Sequence, residues 1–294
     1  MVRDPRMDRF SADAQPSATR ATGSPGGAAP TAPLYCGIDI GASAAKLVLI
    51  DAAGTSVGRA IRPSGVDYVR SADACLEAAL ADAGGLRREQ ILASVSTGYG
   101  RENVPWADAR RTEIACHARG AFHHFRRAMT VVDIGAQDSK VIHLDDNGRR
   151  IGFKMNRKCA AGTGAFLEEI AHRLGLGVDQ LNALAEQATR QITLGSFCTV
   201  FAATEILEKI RAGERVENIV QGAFRSVVKR IQEMESVSGM LVVTGGVAAY
   251  NPLLVRLLGE AFGVEAHTPP EPQLAGALGA ALFARDGTEA AVEK

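Results

Sequence analysis

The residues best suited to chemistry lie in two matching segments of the chain. Residues 39–51 and 133–145 align without a gap, 94 positions apart, and share Asp, Ile, Gly, Ala, Lys and a final Asp. In each segment an apolar strand delivers an aspartate to its end, and a glycine then lets the backbone turn tightly. The repeat predicts a duplicated β-turn-β unit, with one copy in each of two lobes.

Two such turns facing each other across a cleft would bind the phosphates of a nucleotide. We predict that backbone N–H groups in the turns at Gly41 and Gly135 bind the anionic oxygens. Lys46 would supply a positive charge, and Ser43 would supply the side-chain hydroxyl of the first turn. Phosphate binding by paired glycine turns is therefore the first chemistry that the sequence suggests.

The two aspartates predict a catalytic metal beside those phosphates. Asp39 and Asp133 would hold Mg²⁺ through its water ligands. Gln137 could orient the attacking water, which is a role that phosphoryl transfer requires. The alternative is that each segment is an ordinary tight hairpin with a buried aspartate.

A third glycine turn follows a later apolar strand. Gly245 and Gly246 come directly after the strand predicted at residues 240–244 and before a helix. Paired glycines at this point would let a flat nucleoside approach the backbone, although they also occur in plain turns. The chain has no GxxxxGK[ST] motif, which excludes a P-loop.

Two cysteines each precede an apolar stripe at helical spacing. We predict Cys159 just before or at the start of one helix and Cys198 at the amino end of another. Helix N-termini favour thiolates and anionic clusters. Two thiolates cannot complete a four-cysteine iron–sulfur site, so either other residues of the chain join them or two chains contribute two each around a twofold axis. Both could instead be buried small hydrophobic residues.

The elements that must position these residues alternate between strands and helices, which indicates an α/β protein. The Pro- and Gly-rich residues 1–33 are predicted to be a disordered tail. Residues 34–129 are expected to form the first lobe and 130–294 the second, with a helix near 273–286 packing back on the first. Predicted strands lie at 35–40, 46–51, 91–97, 130–134, 140–144 and 240–244, with helices at 71–83 and 112–125.

Composition excludes several classes of function. Equal numbers of basic and acidic residues, 33 of each, argue against non-specific nucleic-acid binding, and no apolar run is long enough to cross a membrane. Without a secretory signal, the chain is predicted to be soluble and cytoplasmic. Of its five cysteines, Cys36 and Cys75 are expected in the core, and Cys116, with its neighbour His117, is expected to have a packing role.

The duplicated phosphate turns and the late glycine turn resemble those of the actin, hexokinase and heat-shock-70 ATPase superfamily. The resemblance extends over about residues 34–286. It implies an actin-like, ribonuclease H-like fold in which two duplicated lobes enclose ATP.

Five further segments resemble the 2-hydroxyacyl-CoA dehydratase activators and the related ATPase subunits of benzoyl-CoA reductase. They are NRKCAAGTGAFLE (156–168), FCTVF (197–201), STGYGR (96–101), EIACHARG (113–120) and DIGAQD (133–138). The resemblance implies a homodimer with one [4Fe–4S] cluster, which Cys159 and Cys198 of both subunits hold.

The same resemblance implies how such a protein works. ATP binding and hydrolysis would change the angle between the cluster-bearing helices, and a low-potential electron would pass to an enzyme that reduces a CoA thioester. A ferredoxin or flavodoxin would supply that electron. Three alternatives stay open: a dimer with a homologous subunit, an ATPase subunit of a benzoyl-CoA reductase-type complex, and a small-molecule kinase of the same fold. A non-catalytic nucleotide-sensing scaffold is a further possibility.

Overall fold

Ten strands form two five-stranded sheets with the same topology in the computed structural model, which describes residues 33–156, 159–195 and 199–292. The first sheet contains β1 (Leu34–Ile40), β2 (Ala44–Ile50), β3 (Ser56–Pro63), β4 (Ile91–Thr97) and β5 (Ala109–Arg110) in the order β3-β2-β1-β4-β5. The second contains β6 (Met129–Ile134), β7 (Ser139–Leu144), β8 (Arg150–Asn156), β9 (Met240–Thr244) and β10 (Ala266–His267) in the order β8-β7-β6-β9-β10. The 13-residue sequence repeat is thus the visible part of a larger duplication.

Each sheet begins with an antiparallel meander and continues with parallel strands. β1 pairs antiparallel with β2 and parallel with β4, and β6 pairs antiparallel with β7 and parallel with β9. In the hairpins, Asp39 lies opposite Lys46, and Asp133 lies opposite Lys140. The equal register places an aspartate and a lysine at the same point beside each turn.

Nine helices lie within the described ranges. They are α1 (Tyr68–Asp82), α2 (Glu113–Phe125), α3 (Gly164–Leu174), α4 (Leu181–Glu186), α5 (Thr199–Arg211), α6 (Val216–Met234), α7 (Gly246–Tyr250), α8 (Pro252–Phe262) and α9 (Ala275–Val292). Among them, no helix combines the length and the apolar character needed to span a bilayer.

The core consists of layers on both faces of each sheet. Apolar side chains of α1 pack on one face of the first sheet, and those of α9 pack on the other. The second sheet carries α2 on one face, while α3 to α8 contribute to the cluster on its other face. Buried apolar surface of this extent is the main source of folding free energy.

α2 and α9 cross in close contact between the two sheets. A Cβ atom on Gly279 of α9 would lie only 1.8 Å from the carbonyl oxygen of Cys116 in α2, so the crossing requires glycine there. α2, which the boundary at residue 129 assigns to the first lobe, packs on the second sheet. α2 therefore brings side chains from the first half of the chain onto the second sheet.

The α/β class is confirmed, and the strand positions predicted at 91–97 and 240–244 agree with β4 and β9. β3 and β8 were missed. Both are edge strands with mostly exposed side chains, so the alternating apolar pattern that identifies a half-buried strand is weak in them. Residues 1–32 lie outside the described ranges, and the prediction of a disordered tail stays a prediction.

Candidate functional site

The first hairpin places a buried carboxylate beside its turn. Asp39 is 4% exposed, and Lys46 Nζ lies 3.2 Å from its Oδ2. The Gly41 amide donates to the Ala44 carbonyl at 3.0 Å and closes the turn. Asp39 Oδ1 is buried and accepts no hydrogen bond from the described residues. A buried carboxylate oxygen without a partner is costly, so this atom is suited to a ligand that the chain itself does not supply.

The second hairpin repeats this arrangement and adds charges. The Gly135 amide donates to the Asp138 carbonyl at 3.0 Å, as in the first turn. Lys140 is only 2% exposed, and its Nζ lies 3.1 Å from Asp133 Oδ2, 2.7 Å from Asp138 Oδ1 and 2.9 Å from Glu113 Oε2. The lysine is buried together with its counter-charges, which is the condition under which a buried ammonium group is tolerated.

The electrostatics of the second hairpin fix its charge state. Burial alone would raise the pKa of Asp133, but His117, Lys140 and Lys46 outweigh burial and hold that pKa at about 2. Burial by itself would lower the pKa of Lys140. Asp133, Glu113 and Asp138 raise that pKa by more than burial lowers it, so the net shift is upward. Lys46, which belongs to the first hairpin, is among the charges that lower the pKa of Asp133 in the second hairpin.

Two residues of α2, neither of which was predicted to belong to it, reach this site. His117 Nδ1 lies 3.3 Å from Asp133 Oδ1, and its Nε2 faces Gly276, where a Cβ atom would lie 2.8 Å from Nε2 and 3.2 Å from Asp39 Oδ2. Glu113, one helical turn earlier, contacts Lys140. His117 was expected to have only a packing role. It is buried, but its imidazole ring also lies between the two aspartates.

A signal for these two residues was present in the motif EIACHARG, in which Glu113 and His117 are four positions apart. Residues at this spacing share one face of a helix. Burial raises the pKa of Glu113, the adjacent Lys140 lowers it, and the net shift is upward. The spacing gave a shared face but not the distance to Asp133, which depends on where α2 packs.

The glycine turn after β9 has a counterpart after β4. Thr244 pairs with Asp133, and its Oγ1 lies 3.3 Å from Asp133 Oδ1, whereas Thr97 pairs with Asp39. The glycine that follows each threonine has a positive φ, 95° at Gly245 and 94° at Gly98. A Cβ atom at Gly98 would lie 2.5 Å from Asp39 Oδ1, and one at Gly245 would lie 2.7 Å from Asp133 Oδ1. Glycine is therefore needed at position 245 for two reasons: the φ angle is positive, and a side chain would clash with Asp133.

The other predicted nucleotide residues lie around these turns. Ser43 and Gln137 are exposed in the first and second turns, respectively. Gly246 begins α7, and a Cβ atom built there would lie 3.6 Å from Gln273 Nε2. The structure thus brings Asp39, Gly41, Ser43 and Lys46 together on one hairpin and Asp133, Gly135 and Gln137 on the other. Their roles in binding ATP and Mg²⁺ stay predictions.

Cys159 is exposed and lies in a turn between β8 and α3. The helix begins at Gly164, with Thr163 as its N-cap, so four residues separate Cys159 from the helix. Gly162, with a φ of 78°, interrupts any continuation of the helix toward Cys159. Cys198 lies outside the described residues, and the structure describes α5 from Thr199 onward.

Cys36, Cys75 and Cys116 are buried, which confirms the expectation for Cys36 and Cys75. Burial raises the pKa of Cys36, and it raises the pKa values of Cys75 and Cys116 to about 12. Burial therefore favours the protonated form of these three thiols at neutral pH, and all three are enclosed in the protein core. Among the cysteines that the structure describes, Cys159 alone is accessible to a metal centre.

Within the described residues, no group of three or more His, Cys, Asp and Glu side chains has the arrangement of a metal site. The two sheets of equal topology, each with an Asp–Lys hairpin, define the actin-like fold class. Two solved structures at 12% and 14% identity, MreB 5 of Spiroplasma citri with AMPPNP and a ROK-family glucokinase of Streptomyces griseus, share this fold alone, with TM-scores of 0.54 and 0.53.

A protein-family model places the chain more narrowly, because residues 36–284 match the BadF/BadG/BcrA/BcrD ATPase family. The chain therefore belongs to this family of ATPases. The 2-hydroxyisocaproyl-CoA dehydratase activator of Clostridioides difficile is 39% identical over 253 residues, which are 85% of this chain and 94% of that protein. A benzoyl-CoA reductase subunit of Thauera aromatica is 32% identical over 264 residues, 85% of this chain and 92% of that protein.

The solved structures include a similar activator with a bound nucleotide analogue. The activator of the 2-hydroxyisocaproyl-CoA dehydratase from Clostridium difficile, with bound ADPNP, has a TM-score of 0.83 and 37% identity. The match covers 88% of this chain and 97% of that one. The actin-like α/β fold that the resemblance implied is therefore confirmed.

Proposed function

We propose that this ATPase is an activator that couples ATP hydrolysis to one-electron transfer to a CoA-thioester dehydratase or reductase. The names of two relatives, a dehydratase activator and a benzoyl-CoA reductase subunit, support this class of partner. One structural observation carries the proposal: the exposed Cys159 lies on a segment that is bonded to the second candidate phosphate turn. Gly164 N–H donates to the Gly135 carbonyl at 2.9 Å, and Ala165 N–H donates to the Ala136 carbonyl at 2.8 Å.

In this proposal, the two hairpins bind the ATP phosphates from two sides. The turns at Gly41 and Gly135 bind the anionic oxygens through backbone N–H groups, and Ser43 adds a hydroxyl. Lys46 supplies a positive charge close to Asp39. The Gly245–Gly246 turn is held by the hydrogen bond from the Gly245 amide to the Pro272 carbonyl, and it receives the adenosine.

The site also fits Mg²⁺, which would polarise the phosphates and neutralise their charge. Asp39 Oδ1 is the buried oxygen that lacks a hydrogen-bond partner, and it is free to accept from a metal-bound water. Asp133, already bonded to Lys140 and close to His117 and Thr244, is held ionised and in a fixed orientation. Gln137 orients the attacking water from its exposed place in the second turn.

Cys159 and Cys198 of two subunits are proposed to hold one [4Fe–4S] cluster per dimer. The exposure of Cys159 and its lack of a disulfide partner fit a thiolate ligand, whereas the three buried thiols do not. When bound, such a cluster accepts and donates one electron at low potential. Ferredoxin or flavodoxin is the proposed donor, and the CoA-thioester enzyme is the proposed acceptor.

Anaerobic purification tests this proposal directly. We expect brown protein with about four iron and four sulfide per dimer, as a [4Fe–4S] cluster requires. Cys159→Ser should be colourless and should have a weaker dimer, because the cluster bridges the subunits. Cys75→Ala should keep the colour, since the Cys75 side chain is fully buried in the core of the first sheet and α1. A wild-type protein without iron and sulfide, or without ATP hydrolysis, would contradict the proposal.

Membership of a benzoyl-CoA reductase-type complex is the second candidate, favoured by the 32% identical relative from Thauera aromatica. Native mass separates the two: an activator should be a dimer of identical chains, whereas a component of such a complex should copurify with homologous partners. A small-molecule kinase would make no use of Cys159, and the kinase likeness at 14% identity concerns the fold alone. A kinase or a scaffold should be colourless.

A further inference from the structure

The turn that carries Cys159 is attached to the second hairpin by side chains that the proposed function does not use. Asn156, the last residue of β8, donates from Nδ2 to the Cys159 carbonyl at 3.1 Å and to the Ala161 carbonyl at 2.8 Å. Both acceptors are backbone carbonyls, so the amide must present its NH₂ group to them. Asn156 is buried, and its loss would leave these two carbonyls without their donor.

Ser139, which lies directly opposite Asn156 in the β7–β8 ladder, makes a third attachment. Its hydroxyl, which is fully buried, donates to the Gly162 carbonyl. Ser139 and Asn156 are direct partners in the β7–β8 register. The carbonyls of three residues between positions 159 and 162 are therefore held by two paired side chains at the end of one hairpin.

Ser139 and Asn156 lie at the open end of the β7–β8 pair. The turn between β6 and β7, which is the second candidate phosphate turn, lies at the same end. Ser139 directly follows Asp138, whose carbonyl accepts from Gly135 and whose carboxylate contacts Lys140. The start of α3 is bonded to the same turn through Gly164 and Ala165, whose N–H groups would otherwise lack partners in a first helical turn. A displacement of the turn is thus passed on at two places, to the helix start and to the cysteine turn.

The turn has little freedom to move independently of these attachments. Thr163 Oγ1 donates to the Ala160 carbonyl at 2.6 Å and closes the turn on itself. At Gly162 a Cβ atom would lie 2.8 Å from the Arg230 side chain of α6, so that side is closely packed. A short, internally closed turn with fixed carbonyls moves as a unit with the strand ends that hold it.

We propose that Asn156 and Ser139 are positioning residues that make the Cys159 turn follow the second phosphate turn when the bound nucleotide changes. The inference rests on the proposed function only in treating Cys159 as a cluster ligand. The hydrogen bonds that attach its turn to the phosphate turn belong to the chain whatever Cys159 binds. Among the described residues, neither side chain donates to a proposed nucleotide or Mg²⁺ ligand, and Asn156 contacts Cys159 through the backbone carbonyl of that residue rather than its thiol. They set where the Cys159 thiol stands relative to Gly135 and Ala136.

Thiol alkylation of the cluster-free full-length chain tests this coupling. Iodoacetamide is applied with Mg-AMPPNP or with Mg-ADP, followed by tryptic digestion and mass spectrometry. Cys159 and Cys198 fall in separate peptides, 159–173 and 191–209, so each rate is measured by itself. In the wild type we expect the Cys159 rate to differ between the two nucleotides.

Asn156→Ala and Ser139→Ala should lose this nucleotide dependence while keeping wild-type affinity for both nucleotides. The loss of two neutral hydrogen bonds predicts that Cys159 reacts about tenfold faster in Asn156→Ala. Asn156→Asp keeps the shape but cannot donate, and it should behave like Asn156→Ala. Asn147→Ala, at the exposed opposite end of the β7–β8 hairpin, is the matched control and should behave like the wild type.

Two results would overturn the inference: a wild-type Cys159 rate that is the same with both nucleotides, or variants that bind nucleotide normally and keep the wild-type dependence. If Asn156→Ala does not fold, Ser139→Ala decides, since it removes one hydroxyl only. Failure of the proposed function is recognised separately. A chain that never takes up iron can still show a nucleotide-dependent Cys159, and an iron-loaded chain can lack that dependence.

Discussion

Replacing Lys140 with methionine should strongly destabilise the protein at neutral pH. The ammonium group is buried and is the shared counter-charge of Asp133, Asp138 and Glu113, at 3.1, 2.7 and 2.9 Å. Removal of one partner from a buried ion pair costs about 3–5 kcal/mol. The side chains of Asp138 and Glu113 are 24% and 20% exposed, which screens part of their charge and favours the lower end, about 3 kcal/mol. Methionine keeps the volume, so no large cavity adds to the loss.

The pH dependence identifies the cause. The folded-state pKa of Lys140 is raised, so its contribution to stability is fully present below its unfolded value and is lost only as pH rises through the folded one. Burial raises the pKa of Glu113 and Lys140 opposes that rise, so the variant should raise it further. A folded state that binds more protons than the unfolded state gains stability as pH falls. The deficit of the variant should therefore shrink between pH 7 and pH 5.

Urea unfolding followed by circular dichroism measures this difference. A loss of about 3 kcal/mol corresponds to a midpoint shift of about 1 M or more for slopes of 1–3 kcal/mol/M. Lys154→Met, an exposed lysine on the adjacent strand β8, should change the free energy of unfolding by about 0.5 kcal/mol or less. If Lys140→Met is no less stable than Lys154→Met at pH 7, or if its deficit does not shrink on acidification, the reasoning is wrong.

Two further changes probe the metal site and the helix crossing. Asp39→Asn should lower the rate of Mg-dependent ATP hydrolysis by about 100-fold. This is the size expected when several kcal/mol of metal-assisted charge stabilisation are lost. Asp51→Asn, beyond the far end of β2, should leave the rate unchanged. Gly279→Ala should lower the free energy of unfolding by about 1–3 kcal/mol, because its Cβ would meet the Cys116 carbonyl oxygen, and calorimetry should show no loss for Gly287→Ala in the same helix, where a Cβ has open space. Equal stability of the two alanine variants, or full ATPase activity of Asp39→Asn, would contradict these assignments.

The hairpins show how far local sequence information extends. Asp39 with Lys46 and Asp133 with Lys140 are seven residues apart, so a tight turn and antiparallel pairing are enough to bring each pair together. The glycine at each turn and the shared spacing were visible in the sequence. Strands β3 and β8 were not, because edge strands with exposed side chains carry little apolar periodicity.

By itself, the sequence determined what depends on neighbours along the chain: the duplicated hairpins, the burial of Cys36 and Cys75, and the resemblance to the activators. Only the tertiary structure decided which distant residues join them. Glu113 and His117 reach Lys140 and Asp133 because α2 packs on the second sheet. The correspondence of Thr97–Gly98 with Thr244–Gly245 became visible only once both sheets had formed, since the lengths of chain that separate each pair from its hairpin differ. Such contacts depend on how helices and sheets pack, which spacing along the chain does not encode.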